Sequence, residues 1–473
     1  MTASKQAVHT IFWQGSKAVF SVLFVWLYGR LTGVEVRGYI SLLLLNVQIA
    51  MMLVEMIAGS AIPNMIIQFG FKQVVKAILP IILGLIPFWI IAVIFLGSMG
   101  WIELINSPYM WISYLVFAPL MILFLALLNL QYGYYQTKGW IERRNRIQTL
   151  IEFLKIGLLI CALSRISGDS YKNRSILDVF IESGDNPHTS NLDMMVVLGV
   201  LCVSTFVGWL ISVVFSFKSM QLDWRNSIAN SIAMGRHGFS ESVKAQTGHL
   251  LYFLITRLPV WMIVWQYRNH GWVGVLANVF LMMDTLMIFA NSHGVVLHAK
   301  ALNEDLENHE TSHFVSRSVL LVGVVGGIVC LIPSSFFEWV FGSGFGEMHN
   351  FFLAIFPALG LAAFSSPVAH KLHAESKFNL LIRIYFEALL VLIVGWIIME
   401  WVMGVNNLNF GHAFLCGNTE EGNVDPFPWG LLAMNLSFGW LAYRIWSWGG
   451  WQWHFLDDFK SIVNRIANIF ATK

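Results

Sequence analysis

Residues 281–300 read LMMDTLMIFANSHGVVLHAK. The stretch begins as an apolar run, but it contains the carboxylate of Asp284 and the polar triplet Asn291, Ser292 and His293. A charged or strongly polar side chain inside a membrane is costly, so it usually faces a cavity or pairs with another polar group. The stretch therefore predicts a membrane-spanning helix whose polar residues have a function.

The composition of the whole chain points the same way. Of its 473 residues, 57% are hydrophobic and only 12% are charged, and the mean hydropathy is +0.65. A soluble globular protein carries about 25% charged residues. The apolar residues form repeated blocks of roughly 20, which is the length needed to cross a hydrocarbon core of about 30 Å. Strands of a barrel would alternate over about ten residues, so we predict an all-α integral membrane protein.

Twelve spans are predicted, in two halves of six. They lie near 10–32, 38–62, 75–99, 110–133, 146–166, 193–217, 244–267, 271–295, 314–340, 349–370, 378–402 and 427–447. The corresponding domains are an N-terminal bundle at 1–220, a cytoplasmic connection at 221–243 and a C-terminal bundle at 244–448. Residues 449–473 carry apolar residues at helical spacing beside Trp, Lys and Arg, which favours an amphipathic interfacial helix. A solvated tail docked on the protein is the alternative.

The distribution of charge gives the orientation. Lysine and arginine concentrate in the connections 138–146 and 218–244, whereas the loop 167–193 is net acidic. Because basic loops stay in the cytoplasm, both termini are predicted to be cytoplasmic. The N-terminus has no small-residue cleavage site, so no signal peptide is expected.

Charged residues inside the predicted spans are the first candidates for a functional site. They are Glu55, Glu152, Lys155, Arg257, Asp284 and Glu387, with Lys17, Arg30, Arg317 and Arg383 nearer the span ends. Arg257 lies about nine residues from either end of its span, too deep for easy snorkelling. It is expected either to bind an anionic headgroup, whose phosphate oxygens a guanidinium matches in pairs, or to form a structural ion pair with Asp284. The two roles are compatible.

The carboxylates admit several roles. Asp284 can pair with Arg257, bind a coupling Na⁺ or H⁺, or cap a polar packing contact, and Glu55 is its counterpart in the first half. Glu152 and Lys155 are three positions apart on one helical face, so a local pair is expected. A local pair is also expected between Glu387 and Arg383, which are four positions apart.

Hinges are predicted where polar or helix-breaking residues interrupt a span. A helix break is expected at Pro259, and a second break at Asn291 and Ser292, with Asn278 as a further polar residue of the cavity. The histidines near 293–313 are not spaced as metal ligands, so no metal site is predicted. No P-loop or serine elbow occurs, so transport would depend on an ion gradient or on the gradient of the substrate itself.

The two halves show a weak internal repeat. Residues 38–60 (GYISLLLLNVQIAMMLVEMIAGS) and 273–294 (VGVLANVFLMMDTLMIFANSHG) both contain an early Asn, one carboxylate and a closing cluster of small polar residues. Repeated halves are typical of transporters, whose substrate site lies at the repeat interface.

Several segments together resemble the bacterial polysaccharide flippases, the O-antigen and capsule exporters of the multidrug/oligosaccharidyl-lipid/polysaccharide (MOP) superfamily. They are VGVLANVFLMMDTLMIFANSHGVVLHAK, GSGFGEMHNFFLAIFPALGLAAFSSPVAHKLHAESKFN, LYGRLTGVEVRGYISLLLL and QYGYYQTKGWIERRNRIQTL. The resemblance implies a MATE-like transporter fold, with two six-helix bundles forming a V around a central cavity and working by alternating access. It also implies that a polyprenyl-pyrophosphate-linked oligosaccharide is flipped from the cytoplasmic to the periplasmic leaflet of the bacterial inner membrane.

The family pattern also bears on individual residues. In the seventh span of the family an Arg is followed two positions later by Asp; here the Arg is Arg257, but Pro259 stands at the Asp position. Arg257 therefore carries over as a cavity cation, with Lys17, Arg30 and Lys155 as further candidates for binding the anionic headgroup. Polysaccharide polymerases and glycosyltransferases of the same pathway are the implied protein partners.

Three alternatives stay open at this point. A drug or organic-cation antiporter of the same superfamily would use acidic cavity residues but would leave Arg257 without a role. A membrane polysaccharide-processing enzyme would be expected to carry a larger, Arg-containing outer loop. A non-transporting scaffold derived from the fold would tolerate replacement of every intramembrane charge.

Overall fold

In the computed structural model, every regular element that is described is helical. The structure describes residues 3–58, 66–67, 70–98, 108–138, 140–166, 191–217, 229–267, 270–301, 308–375, 377–406 and 428–449. The interfacial helix predicted at 449–473 lies outside these ranges except for its first residue.

The first five helices contain most of the predicted N-terminal half. They are α1 (Ala3–Ala58), α2 (Phe71–Ser98), α3 (Pro108–Ile112 and Ala118–Thr137, joined by a π-helical turn at Ser113–Phe117), α4 (Ile141–Ile166) and α5 (Asn191–Phe217). Two predicted spans share α1, which is interrupted at Gly33, where φ is 74° and ψ is 176°. Only glycine adopts this combination readily, so Gly33 makes the short turn between the two spans. Helix α1 packs against α4, and α3 packs against α5.

The remaining helices contain the predicted C-terminal half. They are α6 (Ala229–Tyr267), α7 (His270–Ala301), α8 (Asn308–Cys330), the short α9 (Ser334–Phe341), α10 (Met348–Ala374), α11 (Phe378–Asn406) and, after a 3₁₀ turn at Trp429–Leu432, α12 (Ala433–Gly449). Helix α6 begins at Ala229, inside the connection predicted at 221–243. Helix α10 packs against α8 and α12.

Nine segments of the described chain are long and apolar enough to cross a membrane. They are Thr32–Leu53, Phe71–Phe95, Met110–Tyr135, Met194–Ser216, Val243–Tyr267, His270–Gly294, Glu310–Cys330, Met348–Ala374 and Phe378–Val402. They coincide with nine of the twelve predicted spans. The other three predictions, 10–32, 146–166 and 427–447, fall on the first part of α1, on α4 and on α12, which are helical but not among these segments. The protein is therefore a multi-pass membrane protein.

The chain forms two compact units. Unit 1 contains Met1–Thr247, Val264–Gly274 and Trp339–Gly344. Unit 2 contains Gly248–Ile263, Val275–Glu338 and Phe345–Lys473. The predicted domains at 1–220 and 244–448 assign each half as one continuous stretch, whereas unit 1 also takes in two short segments from the second half.

A glycine contact explains the first of these segments. A Cβ at Gly38 would overlap the His270 carbonyl group and would lie 3.2 Å from the backbone nitrogen of Gly274. A Cβ at Gly274 would overlap the Val34 carbonyl oxygen. Small residues allow membrane helices to approach at the backbone, so α1 and the start of α7 meet where both carry glycine.

In unit 2, α10 is held by an unusual backbone contact beside Pro357. Asn435 Nδ2 donates to the Ala354 carbonyl oxygen at 2.7 Å, and the Ala358 N–H donates to Asn435 Oδ1 at 2.8 Å. These two backbone groups are four residues apart and would pair with each other in a regular helix. A side chain inserted into the helical ladder is one of the recognised causes of a helix bend, and this insertion ties α12 to α10.

Candidate functional site

The predicted ion pair between Arg257 and Asp284 forms in unit 2. Arg257 Nη2, on α6, donates to Asp284 Oδ2, on α7. The Arg257 guanidinium carbon also lies 4.7 Å from the centre of the Phe280 ring, one turn before Asp284. The guanidinium is thus fixed by one carboxylate and one aromatic face, and a planar group with five donors keeps several of them available.

The two members of the pair differ in exposure. The Arg257 side chain is 16% exposed, whereas the Asp284 side chain is 61% exposed. The cation is therefore anchored in the protein, and the carboxylate is its accessible partner.

An aromatic cluster supports the part of α6 that precedes Arg257. The Tyr252 ring lies 5.5 Å from the Tyr385 ring and 6.2 Å from the Phe438 ring. Pro259 is buried two residues after Arg257, but α6 continues through it to Tyr267. The predicted helix break at Pro259 is therefore wrong: the proline removes one backbone donor without ending the helix.

The second predicted break, at Asn291 and Ser292, is also wrong. Helix α7 continues to Ala301, and each polar side chain of the triplet has a partner. Ser366 Oγ donates to Asn291 Oδ1 at 2.8 Å, and Ser292 Oγ donates to the Ile288 carbonyl oxygen at 2.7 Å. His293 Nδ1 lies 2.9 Å from Ser318 Oγ. Because neighbouring helices supply partners, the triplet fits inside an unbroken helix and joins α7 to α8 and α10.

Two neighbouring positions complete this contact surface of α7. Asn278 is 1% exposed, and its Nδ2 lies 4.0 Å from Met348 Sδ. A Cβ at Gly294 would lie 2.5 Å from His370 Nδ1, so α7 and α10 pack closely there. Asn278, Asn291 and Ser292 are thus placed in helix contacts, and their assignment as hinge or cavity residues remains a prediction.

In unit 1 the predicted pair of Glu152 and Lys155 forms on α4. Lys155 Nζ donates to Glu152 Oε1 at 2.8 Å, and Glu152 is 7% exposed. Lys17, on α1, lies within electrostatic range of both residues. The structure therefore brings together three of the residues selected from sequence, from two helices.

Arg30 has a structural partner. Its Nη1 donates to the Trp339 carbonyl oxygen at 2.6 Å, near the C-terminal end of α9, and Trp26 donates its indole N–H to the Val340 carbonyl oxygen. Cations stabilise the free carbonyl groups at a helix C-terminus. These bonds explain why residues 339–344 belong to unit 1. The side chain of Glu55 lies outside the described residues.

The structure contains three polar contacts that were not predicted from the sequence. Glu387 pairs with Arg383 at 3.1 Å, as predicted, but it also accepts from Arg444 Nε at 2.7 Å. Arg37, which lies between the predicted spans 10–32 and 38–62, is 5% exposed, and its guanidinium carbon lies 4.8 Å from the centre of the Tyr28 ring.

The third is a histidine stack, in which the rings of His249 and His373 lie 4.9 Å apart. Only long-range contacts reveal Arg444 and this stack. In the described part of the chain, no group of three or more His, Cys, Asp or Glu side chains is arranged to hold a metal ion.

Comparison with known proteins identifies the fold. No protein-family model matches the sequence, and no curated protein matches it significantly. The structure is similar to the lipid II flippase MurJ in an inward closed conformation, with 13% identity, 98% of this chain and 91% of that chain covered, and a TM-score of 0.59. It is also similar to an inward-facing multidrug resistance MATE family transporter of the MOP superfamily, with 13% identity, coverage of 93% and 95%, and a TM-score of 0.52. The chain therefore has the all-helical fold of these transporters.

Proposed function

We propose that the protein is a flippase of the MOP superfamily that moves a polyprenyl-pyrophosphate-linked oligosaccharide from the cytoplasmic to the periplasmic leaflet during cell-surface polysaccharide biosynthesis. The transporter fold supports membrane transport in general. The observation that carries the lipid-linked cargo is the Arg257–Asp284 pair, in which a cation is anchored deep in a span and its carboxylate partner is 61% exposed.

The chemistry of this pair suits a pyrophosphate group. A guanidinium binds two phosphate oxygens through parallel N–H donors, and such charge-assisted bonds are about twice as strong as neutral ones. An arriving phosphate can take the place of Asp284 on Arg257, which offsets part of the cost of bringing the anion into a low dielectric. The polyprenyl tail stays in the bilayer, so only the headgroup has to be bound by the protein.

The remaining charged residues have assigned parts in this proposal. Lys17 and Lys155 supply further positive charge for the headgroup, and Arg30 does so if its bond to Trp339 is released. Asp284, with Glu55 and Glu152, is the proposed site of a coupling Na⁺ or H⁺: a carboxylate displaced from its cation by the cargo is free to take up a cation or a proton.

The proposed function also implies a cellular location and protein partners. It is a multi-pass protein of the bacterial inner membrane with both termini in the cytoplasm, consistent with the basic connections of the sequence. Its cargo comes from glycosyltransferases on the cytoplasmic side and goes to a polysaccharide polymerase on the other side.

The test is made in cells that lack this protein and any redundant exporter. Polyprenyl-linked oligosaccharides are extracted, and the fraction that faces the cytoplasm is measured. Wild type and Arg383→Ala should relieve accumulation, while Arg257→Ala, expressed at the same level, should not. Arg383 is the matched control because it is also an intramembrane arginine on a carboxylate, and Glu387 keeps Arg444 as a partner when Arg383 is removed. Absence of accumulation in the deletion strain would refute the proposed cargo.

The exposure of Asp284 favours one alternative, a cation-coupled antiporter for drugs or organic cations. An accessible carboxylate inside a membrane span is a typical binding group for an organic cation. In that case the deletion strain would lose efflux of a lipophilic cationic dye, Asp284→Asn would abolish the efflux, and lipid-linked oligosaccharides would not accumulate.

A further inference from the structure

Unit 1 contains a buried polar cluster that extends beyond the Glu152–Lys155 pair. It lies where the first part of α1, the end of α3 and the start of α4 meet. We call it the α1–α4 cluster; its members are Trp13, Lys17, Tyr132, Arg144, Asn145, Glu152 and Lys155.

Contacts between the three helices define the cluster. The Arg144 guanidinium carbon lies 5.5 Å from the centre of the Tyr132 ring. Thr149 Oγ1 donates to the carbonyl oxygens of Trp13 and Asn145, each at 3.0 Å. These contacts place the start of α4 against α1 and α3. Lys17 lies within electrostatic range of Arg144, Glu152 and Lys155, and Tyr132 within range of Arg144 and Glu152.

Five polar atoms of the cluster are buried and have no hydrogen-bond partner within the described part of the chain. They are Trp13 Nε1, Tyr132 Oη, Arg144 Nε, Asn145 Nδ2 and Glu152 Oε2. Tyr132, Asn145 and Glu152 are 6%, 5% and 7% exposed. More than about 90% of buried polar groups in folded proteins have a partner, so five unpartnered atoms on three contacting helices favour a bound polar group at the cluster.

The charges and donors of the cluster indicate an anion. Lys17, Arg144 and Lys155 carry three positive charges, and Glu152 carries the single carboxylate. Four of the five unpartnered atoms belong to groups that can donate a hydrogen bond. Buried charge without compensation is strongly unfavourable. A bound anion would compensate it, whereas a metal cation would add to the excess.

Basic residues also gather at the turn between α3 and α4, next in sequence to Arg144 of the cluster. Lys138 lies 5.9 Å from the Tyr134 ring, and Arg143 lies 4.3 Å from the Trp140 ring. Arg146, 58% exposed, pairs with Glu142, and its guanidinium carbon lies 5.5 Å from the centre of the Trp13 ring. Arg144 lies just before the predicted span 146–166. Burial lowers the pKa of Arg144, but a guanidinium remains charged in proteins. Rows of positive charge of this kind attract anions from outside.

We propose that the α1–α4 cluster is a binding site for a phosphate-class oxoanion, in which Glu152 is the resident counter-ion that the ligand displaces from Lys155. The inference rests on the proposed function, which already assigns Lys17 and Lys155 to the headgroup and names lipid-linked phosphate as the source; the cluster itself requires only phosphate chemistry. Glu152 then determines specificity, because a weak anion cannot displace it.

The proposal is tested by direct binding to the purified full-length protein, measured calorimetrically. The probes are inorganic pyrophosphate, farnesyl pyrophosphate and a short-chain phosphatidylglycerol. The variants are Glu152→Gln, which removes the competing charge, and Tyr132→Phe, which removes one unpartnered hydroxyl without changing the shape of the ring. Glu387→Gln is the matched control, because Glu387 is also a carboxylate paired with basic side chains, Arg383 and Arg444, but it belongs to unit 2.

Glu152→Gln should bind pyrophosphate on the order of tenfold more tightly than wild type, and Tyr132→Phe severalfold more weakly. Glu387→Gln should match wild type. Preference for farnesyl pyrophosphate over the other two probes would show that the ligand is a lipid-linked phosphate. Equal affinity for the two pyrophosphates would show that the site binds a free oxoanion. Preference for phosphatidylglycerol would assign the bulk phospholipid headgroup.

No binding of any probe, or unchanged affinity in both Glu152→Gln and Tyr132→Phe, would overturn the site. Arg257→Ala is included because the proposed function and this site fail separately. If Arg257→Ala abolishes transport in cells but leaves pyrophosphate binding at the cluster unchanged, the two are distinct. If the cluster binds but no lipid-linked cargo accumulates in the deletion strain, the anion site stands and the proposed function does not.

Discussion

The contact between α1 and α7 at Gly38 gives the sharpest stability prediction. A methyl group at Gly38 would overlap the carbonyl group of His270 and press on the backbone nitrogen of Gly274, 3.2 Å away. Both neighbours are backbone atoms, so no side-chain rotation relieves the overlap. Overpacking costs about 1–3 kcal/mol, and the rigid neighbours put Gly38→Ala near the upper end. The better helix propensity of alanine returns about 1 kcal/mol, which leaves a net loss of about 2 kcal/mol.

That loss is measured as a fall in the unfolding temperature of the purified protein. One kcal/mol corresponds to about 2–4 °C for a domain of 150–250 residues, so Gly38→Ala should lower the midpoint by about 4–8 °C. Membrane proteins often unfold irreversibly, so all variants are compared at one scan rate. Gly84→Ala is the control, because nothing lies within 4 Å of a Cβ at Gly84. Equal midpoints for the two variants would refute the close contact of α1 with α7.

Two further predictions concern unit 2. Asp284→Asn leaves the Arg257 guanidinium without its counter-charge. Because Asp284 is 61% exposed, we expect the free energy of unfolding to fall by about 1–2 kcal/mol, less than the ~3–5 kcal/mol lost when a fully buried pair is broken. The double variant with Arg257→Gln should recover most of this stability. Failure of that rescue in the thermal assay would show that the pair does not couple. Asn435→Leu removes both bonds to the backbone of Ala354 and Ala358, at about 1–3 kcal/mol for each group left unsatisfied. An unchanged midpoint would show that those two groups pair with each other instead.

Hydropathy and helical length could be read from the sequence because they are local. Nine of the twelve predicted spans coincide with segments that can cross a membrane, and the turn between the first two spans falls at Gly33. The charges at short spacing were equally accessible: Glu152 with Lys155, and Arg383 with Glu387, are on one helical face by spacing alone. The fold class was therefore predictable without any long-range contact.

The polar triplet of α7 shows why part of the candidate site was not predictable. Asn291 and His293 interrupt the hydropathy pattern and so suggest a break. Their partners, Ser366 and Ser318, are 75 and 25 positions away, and serine is too common for any one of them to stand out. The predicted helix break at Pro259 was wrong for a related reason. A proline in the sequence shows that one backbone donor is missing, but the tertiary contacts that keep the helix continuous cannot be seen there.

The α1–α4 cluster was also not predictable as a whole from the sequence. Lys17 and the Glu152–Lys155 pair were predicted from the sequence, but Tyr132 and Arg144 could not be placed beside them, since that requires the packing of three helices. The signal is not a motif: it is the coincidence of buried polar atoms without partners, which only a folded chain reveals.

The central claim is that the protein moves a phosphate-linked lipid across a membrane by means of Arg257. The most direct measurement uses purified protein reconstituted into liposomes that contain a fluorescent polyprenyl-pyrophosphate oligosaccharide. The fraction of lipid that a membrane-impermeant quencher can reach is followed over time. Wild type and Arg383→Ala should expose the lipid from the inner leaflet, and Arg257→Ala should leave it protected, as protein-free liposomes do. Exposure at the same rate with Arg257→Ala as with wild type, or no exposure with wild type under any applied ion gradient, would contradict the account.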